Sequence, residues 1–76
     1  MKPDVRPRGA TIDALRKANH LSTSELARRS SISRQYMSRI QLGSRGASEE
    51  VVKRIAEALN VRIEAIADDV AGDLAL

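Results

Sequence analysis

Two signals for the start of a helix lie close together in the middle of the chain, at Ser22 and Ser33. In "LSTSELARRS", the Ser22 hydroxyl is placed to accept from the amide of Glu25, which is the pattern of a capping box. In "SISRQYMSRIQLG", Ser33 is a second N-cap and Gly43 predicts the end of that helix. The link of residues 30–33 is too short for two helices to lie side by side, so they must cross steeply.

The second of these helices divides its residues between two faces. Met37 and Ile40 lie three residues apart on the face that Ile32 leads into, and we expect all three in the core. Ala27 is the small residue expected where the two helices cross. The opposite face then carries only polar and charged residues: Arg34, Gln35, Ser38 and Arg39.

The remaining pattern predicts further short helices. Thr11 is a candidate N-cap for a first helix that runs to about Ala18, with Asn19 as a left-handed residue at its end. Ser48 is a candidate cap for a helix through Leu59, and Ile63 with Ile66 suggests a short fifth helix. Hydrophobic residues make up 42% of the chain and aromatic residues 1%. We therefore expect an all-α fold, a compact bundle of about five short helices with an aliphatic core.

Charge is distributed unevenly along the 76 residues, whose formal net charge is +3. Residues 1–45 carry ten basic and three acidic side chains, whereas residues 46–76 carry three basic and seven acidic ones. A basic half of this kind is typical of a protein that binds a polyanion. Composition and charge together divide the chain into a flexible basic arm (1–10), a helical domain (11–67) and an acidic tail (68–76).

The same composition argues against other classes of protein. The chain has no cysteine and a single histidine, His20, and it is too short to enclose a catalytic pocket. We therefore expect neither an enzyme nor a metal or cofactor site. No apolar run approaches the ~20 residues that cross a membrane, and the start of the chain does not resemble a signal peptide. The expected location is the cytoplasm.

Two stretches together resemble a known family. "LSTSELARRSSISRQYMSRIQLG", followed by "ASEEVVKRIAEALNVRIEAI", is similar to the helix-turn-helix domain of the Cro/C1 type, the Xre family. The resemblance covers about Thr11 to Ile66 and implies a lambda-repressor-like domain that binds double-stranded DNA. Ser31 stands where members of this family usually have glycine.

The resemblance also implies which residues face the DNA. The base-reading positions of the family fall on Arg34, Gln35, Ser38 and Arg39, within a recognition helix over residues 34–41. Arginine can donate two hydrogen bonds to guanine, and glutamine can exchange two with adenine. Arg39 lies one turn after Arg34 and can contact either a base or a phosphate.

Further residues are candidates for contacts with the DNA backbone. Tyr36 is one of them, although it can equally pack on the fourth helix as part of the core. Lys2, Arg6 and Arg8 can follow the DNA as a basic arm or stay unbound. The phosphate candidates are Ser22, Thr23, Ser33, Tyr36, Ser44 and Arg45.

One recognition helix reads about half of a binding site, so we expect a homodimer. Its interface is predicted from Ile63, Ile66 and Val70. The function predicted from the sequence is a small phage or mobile-element repressor that blocks a promoter. The alternative is the antitoxin of a toxin-antitoxin module, which would bind a toxin as well as DNA.

Overall fold

A computed structural model describes residues 5–44 and 46–68 of the chain. Within them are four α-helices, one turn of 3-10 helix and two short strands, instead of the all-α bundle of about five helices that we expected. In chain order these elements are β1 (Arg6–Pro7), α1 (Gly9–Ala18), α2 (Thr23–Arg29), α3 (Arg34–Leu42), α4 (Glu49–Leu59), the 3-10 helix (Ile63–Ala65) and β2 (Ala67–Asp68).

Serine side chains cap three of the α-helices, as the sequence predicts. In each case the serine hydroxyl accepts a hydrogen bond from a backbone amide three residues later, which satisfies one of the free N–H groups of the first turn. The donor–acceptor pairs are Glu25 N to Ser22 Oγ at 3.0 Å, Tyr36 N to Ser33 Oγ at 3.0 Å, and Val51 N to Ser48 Oγ at 3.2 Å.

The first helix begins earlier than predicted. Its N-terminal residue is Gly9, and Arg8 precedes it without a side-chain cap, so Thr11 lies inside the helix and is not its cap. The start of α1 abuts the end of α3, where a Cβ atom at Gly9 would lie 2.3 Å from the carbonyl oxygen of Gln41. Only glycine allows this approach of two helix ends without a shift of the backbone.

All four α-helices end in the same way. A left-handed residue follows the helix, and the next backbone amide donates to a carbonyl of the last turn. The left-handed residues are His20, Ser31, Gly43 and Asn60, with φ of 59°, 60°, 77° and 60°. After each of them the next amide donates to a carbonyl five residues back, which is the Schellman motif. These bonds are Leu21 N to Arg16 O, Ile32 N to Ala27 O, Ser44 N to Arg39 O and Val61 N to Ala56 O. Gly43 ends α3 as predicted, but at the end of α1 the left-handed residue is His20, because Asn19 has φ −93°.

Part of the predicted flexible arm belongs to the folded domain. Val5 is 2% exposed and its amide donates to the Ala47 carbonyl at 3.1 Å. Arg6 and Pro7 form β1, which pairs antiparallel with β2. The apolar side chain of Val5 and these backbone bonds hold residues 5–8 against the domain, contrary to our expectation that residues 1–10 stay outside the core.

Aliphatic side chains from the helices and from the segments beside the two strands meet in one core. The largest fully buried apolar side chains are Ile12, Leu26, Met37, Ile40, Ile55, Ile66, Val5 and Val52. The predicted core residues Met37 and Ile40 are among them, and Ile32 packs partly buried against the cluster. This core holds α3 by its inner face only.

The predicted fifth helix is a single turn of 3-10 helix. It spans Ile63–Ala65 and has no side-chain cap at Arg62. The chain then turns into β2, so Ile66 fills the core from a position between the two elements. The predicted tail beyond Asp68, with Val70, lies outside the described residues. No helix in residues 5–44 and 46–68 has the length and apolar character to cross a membrane.

Candidate nucleic-acid interface

The turn between α2 and α3 is built on Ser31. This residue has φ 60° and takes the left-handed position of the Schellman motif, while its amide donates to Arg28 O at 3.1 Å. The Ile32 amide donates to the Ala27 carbonyl at 3.0 Å, which places the Ile32 side chain against the core. Serine therefore adopts the conformation that glycine adopts without steric cost.

Small residues lie at the end of α2, beside the turn into α3. Ala27 is 2% exposed and Ser30 is fully buried, so neither position has room for a larger side chain without movement of a neighbour. The Ser30 hydroxyl makes no hydrogen bond among the residues that the structure describes. Ser30 suits this buried position because its side chain is small.

The outward face of α3 carries the four predicted base-reading residues. Arg34, Gln35 and Arg39 are exposed and Ser38 is partly exposed, whereas Met37 and Ile40 on the inner face are fully buried. The predicted division of this helix into a buried face and a polar face is confirmed.

The structure separates the predicted phosphate contacts into two groups. The hydroxyls of Ser22 and Ser33 already accept capping bonds, and the Ser44 hydroxyl donates to the Arg39 carbonyl at 3.3 Å. Thr23 and Tyr36 are both partly buried, and Tyr36 packs against the hydrophobic core. Arg45 lies outside the described residues.

The candidate arm residues also differ from each other. Lys2 lies outside the described residues, and Arg6 is exposed within β1. Arg8 pairs with Asp68, its Nε donating to the carboxylate at 3.1 Å. This hydrogen bond, and then the charge of Arg8, lowers the pKa of the Asp68 carboxyl. Arg8 therefore links the two termini of the domain and is not on a free arm.

A shallow cleft lies beside the end of α3. Its volume is 320 Å³, and it is lined by Arg6 and Pro7 from β1 and by residues of the loop after α3: Gly43, Ser44 and Gly46. The cleft brings the cationic side chain of β1 next to a hydroxyl and to backbone of a glycine-containing loop. The hydroxyl and the amide of Ser44 both donate to the Arg39 carbonyl, so the positive charge of this cleft comes from the Arg6 guanidinium.

Arg16 is a residue that the sequence reasoning missed. Its side chain is 14% exposed and makes three hydrogen bonds, to Gln41 Oε1 at 2.9 Å, to Leu21 O at 2.7 Å and to Asp13 at 2.7 Å. The bonds from Arg16, and then from Lys17, lower the pKa of the Asp13 carboxyl. Through Gln41, Arg16 joins α1 to the last turn of α3. The sequence places Arg16 in an amphipathic helix, which is a signal for a structural contact. Its partner Gln41 could not be identified from the spacing, because the two residues are far apart in the chain.

The positive charge of α2 is reduced by an internal ion-pair cluster. Arg28 and Arg29 are exposed, but both pair with Glu25 one turn earlier. Hydrogen bonds from Arg28, and then from Arg29, lower the pKa of the Glu25 carboxyl. The Glu25 carboxylate therefore pairs with these two arginines, while the Glu25 backbone amide donates to Ser22 Oγ.

The predicted dimer residues are not equivalent. Ile66 is fully buried in the core of the domain, so it cannot provide accessible surface to a second copy. Ile63 is partly buried and packs at the edge of the core. Val70 lies outside the described residues. The part of the prediction that depends on Ile66 is wrong, because this residue completes the monomer core.

Two short helices joined by a four-residue link, with the second one exposed along its polar face, are the pattern of a helix-turn-helix domain. Comparison with known proteins agrees with this class. Residues 12–66 match the model of the helix-turn-helix family HTH_3, which covers more than half of the chain. The chain belongs to this family of Cro/C1-type DNA-binding transcription regulators.

Among curated proteins, the chain is similar to the uncharacterized HTH-type transcriptional regulator Rv0474 of Mycobacterium tuberculosis. The two are 38% identical over 58 residues, which is 76% of this chain and 41% of the relative. The chain thus spans less than half the length of the curated relatives that it matches.

Solved structures with the same fold include regulators from several systems. The restriction-modification controller protein C.AhdI from Aeromonas hydrophila is 30% identical with a TM-score of 0.73, over 75% of this chain and 86% of that one. The biofilm master regulator SinR, solved in complex with DNA, is 26% identical with a TM-score of 0.70, over 74% and 90%. The clp gene regulator ClgR from Corynebacterium glutamicum is 27% identical with a TM-score of 0.73, over 92% and 74%.

Proposed function

We propose that this chain binds duplex DNA in a sequence-specific way and regulates transcription, with α3 in the major groove. The observation that carries the proposal is the exposed outer face of α3, where Arg34, Gln35 and Arg39 lie opposite the buried Met37 and Ile40. A major groove about 12 Å wide admits one α-helix. Arginine and glutamine on such a helix can each form paired hydrogen bonds with guanine or adenine.

Backbone contacts would fix the position of α3 in the groove. The proposed phosphate ligands are Ser22, Thr23, Ser33, Tyr36, Ser44 and Arg45. Arg6 joins them through the cleft that it shares with Ser44. Lys2 remains a proposed arm contact, whereas Arg8 contributes less because Asp68 already balances its charge. Contacts of this kind add affinity for every sequence and carry no base preference.

We further propose that two copies bind an inverted repeat, each reading one half-site, and that they repress by covering a promoter. A half-site spacing of about 34 Å, one helical turn, follows from this arrangement. Ile63 and Val70 are the proposed interface residues, without Ile66. A repressor carried by a phage or mobile element is the biological setting that we propose.

A salt titration tests the proposed DNA binding. The full chain is titrated with a labelled random duplex at several salt concentrations, and we expect the logarithm of the association constant to fall linearly with the logarithm of salt. With five phosphates neutralised, the slope would be about −4.5 for B-form DNA. Absence of binding at low salt would contradict the proposal. Sedimentation with an inverted-repeat duplex then tests the dimer, for which strict one-to-one binding is the contrary result.

A protein partner is the second candidate. One similar structure is the complex of the SinR and SinI proteins, in which the aligned chain is 26% identical to this one with a TM-score of 0.72. The corresponding proposal is that this chain also binds a second protein, such as a toxin for which it serves as antitoxin. Purification of the tagged chain from cells of its own source would test this proposal. Recovery of the chain without a second protein would contradict it.

A further inference from the structure

Leu42 has a surface position that the residues proposed so far do not explain. Among residues 5–44 and 46–68, it is the large hydrophobic side chain that lies exposed, at 78%. Single exposed apolar residues are common on protein surfaces. This one is distinguished by its place at the end of α3, the helix whose outer face is otherwise polar.

The periodicity of an α-helix places Leu42 on the outer face of α3. It follows Gln35 by seven residues, Ser38 by four and Arg39 by three, and each of these spacings brings residues to the same side of a helix. Because side chains tilt toward the helix N-terminus, the Leu42 side chain covers the turn that contains Ser38 and Arg39. An object that contacts those residues would also contact Leu42.

We infer that Leu42 is a specificity-determining residue that contacts the 5-methyl group of a thymine in the major groove. The inference rests on the proposed function, since it requires α3 in that groove. Thymine alone presents an apolar group on its major-groove edge, and apolar side chains select it by contact with that methyl. Leu42 thus adds a preference for thymine to the hydrogen-bonding residues of α3.

The charges around Leu42 favour DNA over a second copy of the chain as its partner. A two-fold contact through this face would bring Arg39 of one copy toward Arg39 of the other, and like charges across an interface are unfavourable. A DNA groove is lined by phosphates, which attract the same arginine. The exposed leucine therefore lies in surroundings that suit nucleic acid.

The test begins with selection of a preferred duplex from a random-sequence library by the full chain. Each thymine in the selected site is then replaced singly by uracil, which removes only the 5-methyl group. For the wild type, we expect one thymine at which this change weakens binding about fourfold, the factor that burial of one methyl-sized group provides. In Leu42→Ala, binding should be weaker overall and insensitive to uracil at that thymine.

Two further variants control the experiment. Leu42→Met keeps an apolar side chain and should keep the uracil effect, whereas Arg34→Ala should bind more weakly while the uracil effect at that thymine persists. Circular dichroism verifies that each variant is folded. We expect the Leu42 variants to fold, because the side chain of Leu42 is exposed.

The outcomes separate the inference from the proposed function. Failure to enrich any sequence would contradict the proposed function and the inference together. A selected site without a methyl-sensitive thymine would overturn the inference alone, as would an undiminished uracil effect in Leu42→Ala. Loss of self-association in Leu42→Ala, with an unchanged uracil effect, would instead assign this residue to a contact between copies.

Discussion

Gly9 lies at the closest approach of two helices, where the start of α1 meets the end of α3. A Cβ atom at this position would lie 2.3 Å from Gln41 O and 2.6 Å from Ile40 O, both backbone atoms. These distances are shorter than any non-bonded contact between carbon and oxygen, so a side chain here must displace α1 or α3. The position of the recognition helix therefore depends on the absence of one methyl group.

Gly9→Ala is expected to lower the free energy of unfolding by about 3 kcal/mol, the upper part of the usual range for overpacking. The matched control is Gly43→Ala, where the added methyl meets no atom within 4 Å and the cost comes from the left-handed φ of 77°. That cost is about 1 kcal/mol. Urea denaturation of both variants measures the difference, and equal losses would contradict the close packing at Gly9.

Ser31 holds a left-handed conformation with a side chain, and this conformation is unfavourable for residues other than glycine. Ser31→Gly should raise the free energy of unfolding by about 0.5–1 kcal/mol, because relief of this strain exceeds the added chain entropy of glycine. Ser24→Gly, at an exposed position within α2, is the control and should lower it. Thermal denaturation compares the two, and a loss of stability in Ser31→Gly would contradict the strain.

At the scale of the elements, Arg16 and Gln41 connect α1 with the end of α3. Gln41→Ala removes the acceptor of a part-buried guanidinium, and we expect the free energy of unfolding to fall by about 1.5 kcal/mol. Gln35→Ala changes the same type of residue at an exposed position of the same helix and should alter stability by less than about 0.5 kcal/mol. Chemical denaturation of the two variants gives the comparison. Similar values for both would show that the bond to Arg16 does not hold α3.

The sequence was sufficient to predict the parts of the fold that depend on neighbouring residues. The serine caps and the end of α3 at Gly43 require only a side chain and an amide or turn a few residues away, and their structures follow the prediction. The two faces of α3 follow equally from helical periodicity. His20 was missed as a left-handed residue, because nothing in its side chain favours that conformation as strongly as glycine or asparagine does.

The missed elements depend on contacts between distant parts of the chain. β1 and β2 have two residues each and pair Arg6 with Asp68. Strands this short contain no alternation of apolar and polar residues from which they could be predicted. The residues next to Gly9 in the sequence suggest only a polar arm. The need for glycine at this position follows from the close approach of the end of α3. For the site, spacing and resemblance predicted the exposed residues of α3, but not Arg16, whose partner is 25 residues away.

At the scale of the whole molecule, the two ends of the domain are joined by β1, β2 and the Arg8–Asp68 ion pair. The pair is half exposed and its energy is small in water. Because Arg8 lowers the pKa of Asp68, the folded state binds this proton less readily than the unfolded state does. The stabilisation is therefore present above the ordinary carboxyl pKa of about 4 and is lost as the pH falls through the lowered value.

Asp68→Asn tests this linkage. The wild type should be more stable than the variant at pH 6, and the difference should shrink as the pH is lowered through the range in which Asp68 becomes protonated. Asp13 and Glu25 also have lowered pKa values, but they titrate in both proteins and cancel from the comparison. Urea denaturation at both ends of the range is the measurement, and a difference that grows in acid would contradict the account.

The central claim is that the outer face of α3 reads DNA sequence, and competition binding tests it most directly. The ratio of affinities for a selected duplex and its scrambled counterpart is measured for the wild type, Arg34→Ala and Arg62→Ala. Arg62 is a control of equal charge, 90% exposed and outside the helix-turn-helix pair. We expect Arg34→Ala to lower the ratio about tenfold or more, since a good bidentate contact contributes about 1–3 kcal/mol of discrimination. Arg62→Ala should leave the ratio unchanged, and an equal ratio in all three proteins would contradict the account.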